Sequence, residues 1–450
     1  MPRSVRISAQ SAAAWEEIWQ DTDVELEGND EWQGAIRYNI FQLIQAMPSA
    51  DSRASIGARG LTHGRYKGCY FWDTEIFMLP MFLWTRPEDA ESLLGYRYHT
   101  LPDAMESAKR FSAKGARYSW MSSDTGFEQC ESWDTGCCEI HITADIAYAF
   151  YRYNSVISDE KLRNQSAEVL VQTARYWVDR FNYSAQEDRY HLLFVKGPDE
   201  YGGVTTDDFY TVCMARDNLQ YAAQYVRALP GAQIQALAEK TGLTPQEPAL
   251  WEEIARKVVL VRDGLLWRQD STFGYLEPLD IAAAKDGDAP LYHTISFDRL
   301  QRYQVLKQPD VLMYMALRPE RFSDAEVCAA WEYYEPRTLH DSTLSFGIHA
   351  LLAARYGFAR AEEYFEKSLF LDLKNVMGNT ANEGIHTAAL GATWQAMVLG
   401  FGGLEERDGA LHVSPHLPET LTAMCYRVHW RGTRYEIRLR RGEAPSVQKL

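Results

Sequence analysis

Residues 164–181, NQSAEVLVQTARYWVDRF, place Val169, Leu170, Ala174, Trp177, Val178 and Phe181 on one stripe of a helix, with polar residues on the other faces. The same period recurs at 33–46, 86–98, 143–153, 213–228, 249–262, 309–317, 324–333, 345–356, 360–371 and 385–399. Sequence self-similarity is weak, so these helices are not a short-period solenoid. Ten or more amphipathic helices joined by polar, glycine- and aromatic-rich connections predict a mainly α fold, a toroid of paired helices with loops at one end forming a site. The segments 121–140 and 197–212 are long loops for a compact helical domain, and such loops usually carry function. Near residue 401 the pattern changes. GFGGLEERDGALHVSPHLPETL (400–421) is rich in Gly and Pro, and YRVHWRGTRYEIRLRR (426–441) alternates Tyr426, Val428 and Trp430, then Tyr435, Ile437 and Leu439, around a turn at Arg431-Gly432-Thr433. The expected organisation is a barrel over 1–400, with a helical lead-in over about 1–30, and a small β-unit over 401–450. Arg434, Arg438, Arg440 and Arg441 read as a solvated strand face.

The chain has 450 residues, with 46 Lys+Arg against 62 Asp+Glu, 46% apolar and 13% aromatic residues. That content excludes a disordered chain. The net charge of −16 argues against non-specific binding to nucleic acid or to an anionic membrane, because the long-range field repels both. The N-terminal MPRSVRISAQSAAAWEEIW has no apolar core of a signal peptide. Seven cysteines, an odd number without CxxC spacing, point to a reducing cytoplasm and to buried thiols, Cys137-Cys138 included. The histidines show no metal-ligand spacing, so no metal is expected.

Four islands are too polar and aromatic for plain helix surface. GCYFWDTEIF (68–77) sets Trp72 beside Asp73: a ring stacks on the C–H face of a sugar while a carboxylate accepts from its hydroxyls. The alternative is a buried Trp with Asp73 capping a helix over 74–84. VKGPDEYGGVTTDDFY (195–210) carries Asp199, Glu200, Asp207 and Asp208 after a Gly-Pro turn; interleaved Tyr201, Phe209 and Tyr210 would raise a carboxyl pKa, as a general acid requires, against the plainer reading of a solvated acidic loop. YQVLKQPDVLMY (303–314) offers Lys307 and Gln308, a cation and an amide suited to a polyhydroxyl ligand, or an ordinary helix start. YYEPRTLHDSTLSFGIHA (333–350), with NEGIHTAALGATW (382–394), supplies Ser342, Thr343, Ser345 and His386, either a phosphate cradle or helix caps. No P-loop and no dinucleotide fingerprint is present.

Together FWDTEIFMLP (71–80), HITADIAYA (141–149), GPDEY (197–201), LKQPDV (306–311), YYEPRTLHDSTLS (333–345) and EGIHTAALGATWQAMVLGFGGL (383–404) resemble glycoside hydrolase family 65, the maltose, kojibiose, nigerose and trehalose phosphorylases. The resemblance implies an (α/α)6 barrel with a small C-terminal β-domain. By the same resemblance the family's N-terminal β-sandwich is expected to have no counterpart here, the chain beginning close to where the barrel should. By resemblance Glu200 is the general acid, Trp72, Asp73, Lys307 and Gln308 bind the transferred glucosyl unit, and Ser342, Thr343, Ser345 and His386 hold phosphate. It implies no cofactor; inorganic phosphate is the co-substrate. The chain departs from the family's pattern at Met121 (usually Glu), Gly202-Gly203 (usually His-Glu), Asp207-Asp208 (usually an Asn pair) and Pro309, so the disaccharide stays unnamed. The expected reaction is inverting phosphorolysis of an α-glucosyl disaccharide to β-glucose 1-phosphate. The alternatives are an inverting hydrolase using Asp341 or Glu383 as base, and a non-catalytic sugar-binding protein. The partners expected are a disaccharide and phosphate, not nucleic acid or membrane; the assembly is left open, with a homodimer among the options.

Overall fold

The computed structural model describes residues 3–62, 64–157, 162–285 and 289–450. Among these, six inner helices form a closed ring: Leu79–Thr85, Ile142–Val156, Phe209–Ala228, Val311–Leu317, Ser345–Tyr356 and Thr387–Gln395. The first is entered through a wide π-helical turn, Thr74–Met78, and the last continues into another, Ala396–Phe401. Each inner helix touches its two ring neighbours, and the last closes on the first. Outside pack Asp30–Ala46, Pro87–His99, Arg163–Arg180, Glu247–Lys257, Asp324–Tyr334 and Ala361–Leu369. The architecture is the expected (α/α)6 toroid.

Burial explains the two rings. The inner helices are apolar nearly all round; Phe346, Ile348, Ala350, Leu351 and Leu352 are all buried within Ser345–Tyr356. The outer helices keep a single apolar stripe, and two of them carry side-chain caps. Asn29 accepts from the Trp32 N–H, and Ser323 with Glu326 forms a reciprocal capping box. The ring needs close backbone approach where it closes. A Cβ on Gly391 would stand 2.3 Å from the carbonyl oxygen of Phe77. A buried bidentate pair fixes the entrance to the first inner helix: Arg97 donates to Glu75 at 2.7 and 2.8 Å and to the Phe71 carbonyl at 2.9 Å.

The C-terminal unit is a four-stranded antiparallel sheet in the order Val24–Glu27, Ala423–Trp430, Thr433–Arg440, Ser446–Lys449, beside a hairpin of Leu404–Arg407 and Ala410–Val413. Trp430 pairs with Thr433, so the turn is the two residues Arg431 and Gly432, both at positive φ (48° and 72°). The lead-in is thus corrected: helix Arg3–Thr22 is followed by a strand that belongs to the C-terminal sheet. Its alternation V-E-L-E buries Val24 and Leu26 while the glutamates face out. The arginine face is also more than solvated. Arg434 meets Asp21 at 2.8 Å, and Arg427 and Arg438 share Glu436. No helix among the described residues is long and apolar enough to cross a membrane.

Gly391→Ala should destabilise the fold by about 1–3 kcal/mol through overpacking and lower the melting temperature accordingly. The same change at Gly34, on an outer helix with open space around it, should be neutral or stabilising by roughly 0.5–1 kcal/mol. Equal melting points for the two variants in differential scanning calorimetry would remove the ring-closure argument.

Candidate active site

The four sequence islands meet at one mouth of the toroid, and the reason is topological. Each lies immediately before an inner helix. Trp72 and Asp73 precede the turn Thr74–Met78; the 197–208 loop precedes Phe209–Ala228; Lys307 and Gln308 precede Val311–Leu317; Asp341–Thr343 precede Ser345–Tyr356; His386 precedes Thr387–Gln395. The remaining inner helix, Ile142–Val156, is preceded by Glu139. These six segments wall a cavity of about 540 Å³ lined by Trp72, Asp73, Glu200, Lys307, Gln308, Ser342, Thr343 and His386. Helix N-termini carry unpaired N–H groups and partial positive charge, so six of them at one mouth favour an anionic ligand there.

Trp72 is 3% exposed and packs edge-on against Phe77 and His141. Asp73 is half-buried in the cavity wall and caps nothing. Burial raises its pKa to about 7, with Arg59 pulling the other way. Lys307 Nζ lies 2.8 Å from Glu200 Oε2. This corrects the electrostatics expected for Glu200. Burial pushes its pKa up, but the Lys307 cation, helped by Lys196 and Arg65, outweighs burial and holds the carboxyl below the usual glutamate value. The aromatic neighbours do not supply the expected wall. The Tyr201 hydroxyl donates to Asp341 at 2.6 Å, and Phe209 and Tyr210 are buried in the ring.

Gln308 bridges two loops: its amide donates to the Pro198 carbonyl and its oxygen accepts from the Ser342 hydroxyl. Thr343 lines the cavity with no hydrogen-bond partner among the described residues. His386, 4% exposed, has its backbone N–H and Nδ1 both on Asp372, at 2.8 and 2.6 Å, while Nε2 has no partner. Ser345 is displaced from its expected role. It does not line the cavity; its hydroxyl is bonded to His340 Nδ1 at 2.8 Å and its N–H to the Ser342 carbonyl, because it is already the first residue of its helix.

The other carboxylates at the mouth are engaged. Asp341 accepts from Tyr201, from the Leu291 N–H at 2.9 Å and from Lys285 at 3.0 Å. Glu383 is clamped by Arg59 at 2.7 Å, by Arg65, and by Asn379 at 3.1 Å. Glu139, Arg59, Arg65 and Tyr292 also line the cavity and were missed by the sequence reading. Glu139 stands two residues before the HITADIAYA motif, and that position was its only signal. Burial raises its pKa to about 7, against the pull of Lys196 at 3.1 Å and with the push of Glu200.

The arrangement defines a class: helical toroids with a sugar-sized cavity at one mouth, walled by aromatic rings, carboxylates and cations. The central catalytic domain model of glycosyl hydrolase family 65 matches residues 37–395, and that family's C-terminal domain model matches residues 404–445. The chain belongs to glycosyl hydrolase family 65. It is 37% identical to a kojibiose phosphorylase of Caldanaerobacter subterraneus subsp. tengcongensis over 97% of this chain and 59% of that one. It is 36% identical to an alpha,alpha-trehalose phosphorylase of Thermoanaerobacter brockii, over 94% of this chain and 55% of that one. It is 34% identical to a 1,2-alpha-glucosylglycerol phosphorylase of Bacillus selenitireducens, over 95% and 59%. A solved structure named for a kojibiose phosphorylase from the human microbiome superimposes with a TM-score of 0.91 at 32% identity, covering 97% of this chain and 65% of that one. The chain thus spans roughly three-fifths of the length of these curated relatives.

Lys307→Met should move the Glu200 titration upward, since burial is then opposed only by Lys196 and Arg65. Carboxyl-carbon NMR, with Glu200→Gln to assign the resonance, reads the shift. A carboxyl that still titrates low would mean that Lys307 is not what holds it down.

Proposed function

We propose that this chain carries an inverting phosphorylase site that splits an α-glucosyl disaccharide with inorganic phosphate, giving β-glucose 1-phosphate and the released sugar. The observation that carries this reading is the unpartnered Nε2 of His386, with its other nitrogen fixed on Asp372, in the same cavity as Glu200. An imidazole held this way offers a donor to an anion. The free Thr343 hydroxyl, Ser342 and the converging helix N-termini complete the phosphate site.

Glu200 donates its proton to the glycosidic oxygen as the C1–O bond breaks toward the leaving sugar. A phosphate oxygen forms the new bond to C1 from the opposite face, through an oxocarbenium-like transition state. Phosphate arrives already charged, so no base is needed. Trp72 and Asp73 hold the glucosyl ring, with Lys307 and Gln308. Lys307 also sets the timing. Its ammonium, beside the carboxyl, holds Glu200 below the usual glutamate range. A sugar hydroxyl that draws the ammonium away leaves burial to raise the proton affinity of Glu200, which then becomes the acid the reaction needs.

Against a hydrolase stands the engagement of both sequence candidates for a water-activating base. Asp341 and Glu383 each already accept from three donors. The names of the relatives share an α-glucosyl part and differ in the acceptor, which agrees with leaving the acceptor unnamed here. Placement in a reducing cytoplasm is supported by seven cysteines that are all unpaired.

Incubation of β-glucose 1-phosphate with a panel of sugar and polyol acceptors should release phosphate, and glucose 1-phosphate formation in the forward direction should rise with phosphate. Glu200→Gln should lower turnover by about 10²–10⁴ with sugar binding retained. Free glucose formed without phosphate dependence would give the site to hydrolysis, and sugar binding with no turnover at any phosphate level would make it a binding module.

A further inference from the structure

Beneath the turn that bears Glu200 lies a pair of acids that the proposed chemistry does not use. Asp208 and Asp310 are each 1% exposed. Asp208 caps the inner helix Phe209–Ala228: its Oδ1 accepts from the Thr211 N–H at 2.8 Å and from the Thr211 hydroxyl. Its Oδ2 faces Gly197, and so does Oδ2 of Asp310; a methyl group on Gly197 would stand 2.4 Å from each oxygen. The two carboxyls meet over one glycine. Neither oxygen of Asp310 has a side-chain or backbone donor among the described residues. Two ionised carboxylates buried so close together repel with little screening, and neither is able to donate. One proton between them turns the repulsion into an O–H···O bond.

We propose that Asp208 and Asp310 share a single proton at neutral pH, and that this carboxyl pair is a positioning device holding the Glu200 turn against the segment that bears Lys307 and Gln308. Three further ties join the same two segments: Gln308 to the Pro198 carbonyl, the Lys307 N–H to Asp199 at 2.7 Å, and Lys307 Nζ to Glu200. Ionising both acids pushes Asp310 from Gly197 at the root of this strap. The positioning role rests on the reading of Glu200 as proton donor; the shared proton does not.

The charged and titratable groups around the pair are accounted for. Asp199 and Asp207 lie on the loop of Asp208, Asp270 on the turn before Phe273, Tyr210 and Cys213 on the capped helix, His141 before the neighbouring helix, and Lys307 on the segment of Asp310. Asp207 is held by His191 and His141 by Asp145, both at 2.7 Å; Asp270 accepts from Thr272 and from the Phe273 N–H; Lys307 is on Glu200. No cation is left for the pair among the described residues. Burial pushes the pKa of Asp208 up to about 6; burial and then the charges of Asp208 and Asp199 push that of Asp310 well above its ordinary value. Both folded values lie above the unfolded one, so the pair stabilises the fold fully at low pH, and that stability is lost as pH rises through the folded values.

Asp208→Asn tests this, because an amide donates to an ionised Asp310 without needing a proton. Its melting temperature should gain on the wild type by several degrees between about pH 5 and pH 8. Infrared difference spectra at pH 7 should show a protonated-carboxyl C=O band in the wild type that Asp208→Asn removes. Asp310→Asn, which puts the amide on the other side, should behave alike and serves where the first variant folds poorly. In synthesis from β-glucose 1-phosphate, the alkaline fall in kcat should move to higher pH in the variant. An absent band, or a melting-temperature difference flat with pH, overturns the shared proton. An alkaline limb that does not move, with the band present, overturns the positioning role.

Discussion

Six inner helices start at one mouth, and everything chemical about this molecule follows from that constraint. A closed ring of helices buried on nearly every side accepts a polar group along its length chiefly where partners meet it, as His141 and Tyr210 meet Asp145 and as Tyr314 and Arg318 meet Asp217. Polar side chains therefore collect where the helices begin, and there they stand against orphan N–H groups and the positive ends of the dipoles. The mouth gathers Asp73, Glu139, Glu200, Asp341 and Glu383 together with Arg59, Arg65, Lys307 and His386. So many charges in a partly buried cavity are tolerated only as pairs. Lys307 answers Glu200, Lys196 answers Glu139, Lys285 answers Asp341, and two arginines answer Glu383.

Pairing also separates the roles of chemically identical side chains. A carboxylate with three donors, such as Asp341 or Glu383, is fixed in place with its lone pairs engaged. Glu200 depends chiefly on one flexible ammonium, and a ligand can compete for that ammonium. His386 is pinned on one side only, so its second nitrogen stays available. The availability of these two groups, rather than their residue type, distinguishes them from their neighbours, in keeping with a site preorganised by its surroundings.

Helical periodicity marked every ring helix but Leu79–Thr85, which entered only as the helix that Asp73 would cap, because burial leaves a local trace at every third or fourth residue. The hairpin was equally legible from its alternation and from Arg431-Gly432. What escaped was long-range. The strand Val24–Glu27 is four residues long and pairs with residues 423–426, a partner nearly 400 positions away, so no local signal identified it. Asp73 carries the composition of a cap but sits inside helical geometry, and Ser345 belongs to its helix instead of the loop before it. The depressed pKa of Glu200 was not readable from its aromatic neighbours in sequence, because the deciding group, Lys307, is brought in from another segment. Glu139, Arg59 and Arg65 came without a distinctive local pattern; only the topology makes them cavity residues.

Segment 306–310 shows why the site behaves as one object. Its backbone pairs with the strand-like stretch around Thr338: the Leu306 N–H goes to the Arg337 carbonyl and the Leu339 N–H to Leu306. Its Lys307 and Gln308 reach the Glu200 turn, and Gln308 takes the Ser342 hydroxyl on its other side. One short stretch thus sets the distance between the proposed proton donor and the proposed phosphate cradle. A loop of this kind, tied at successive residues to both of its neighbours, does not adjust one contact without the others. The separation of acid and anion is therefore a property of the ring, which fixes where the three helices begin, and not of any single side chain.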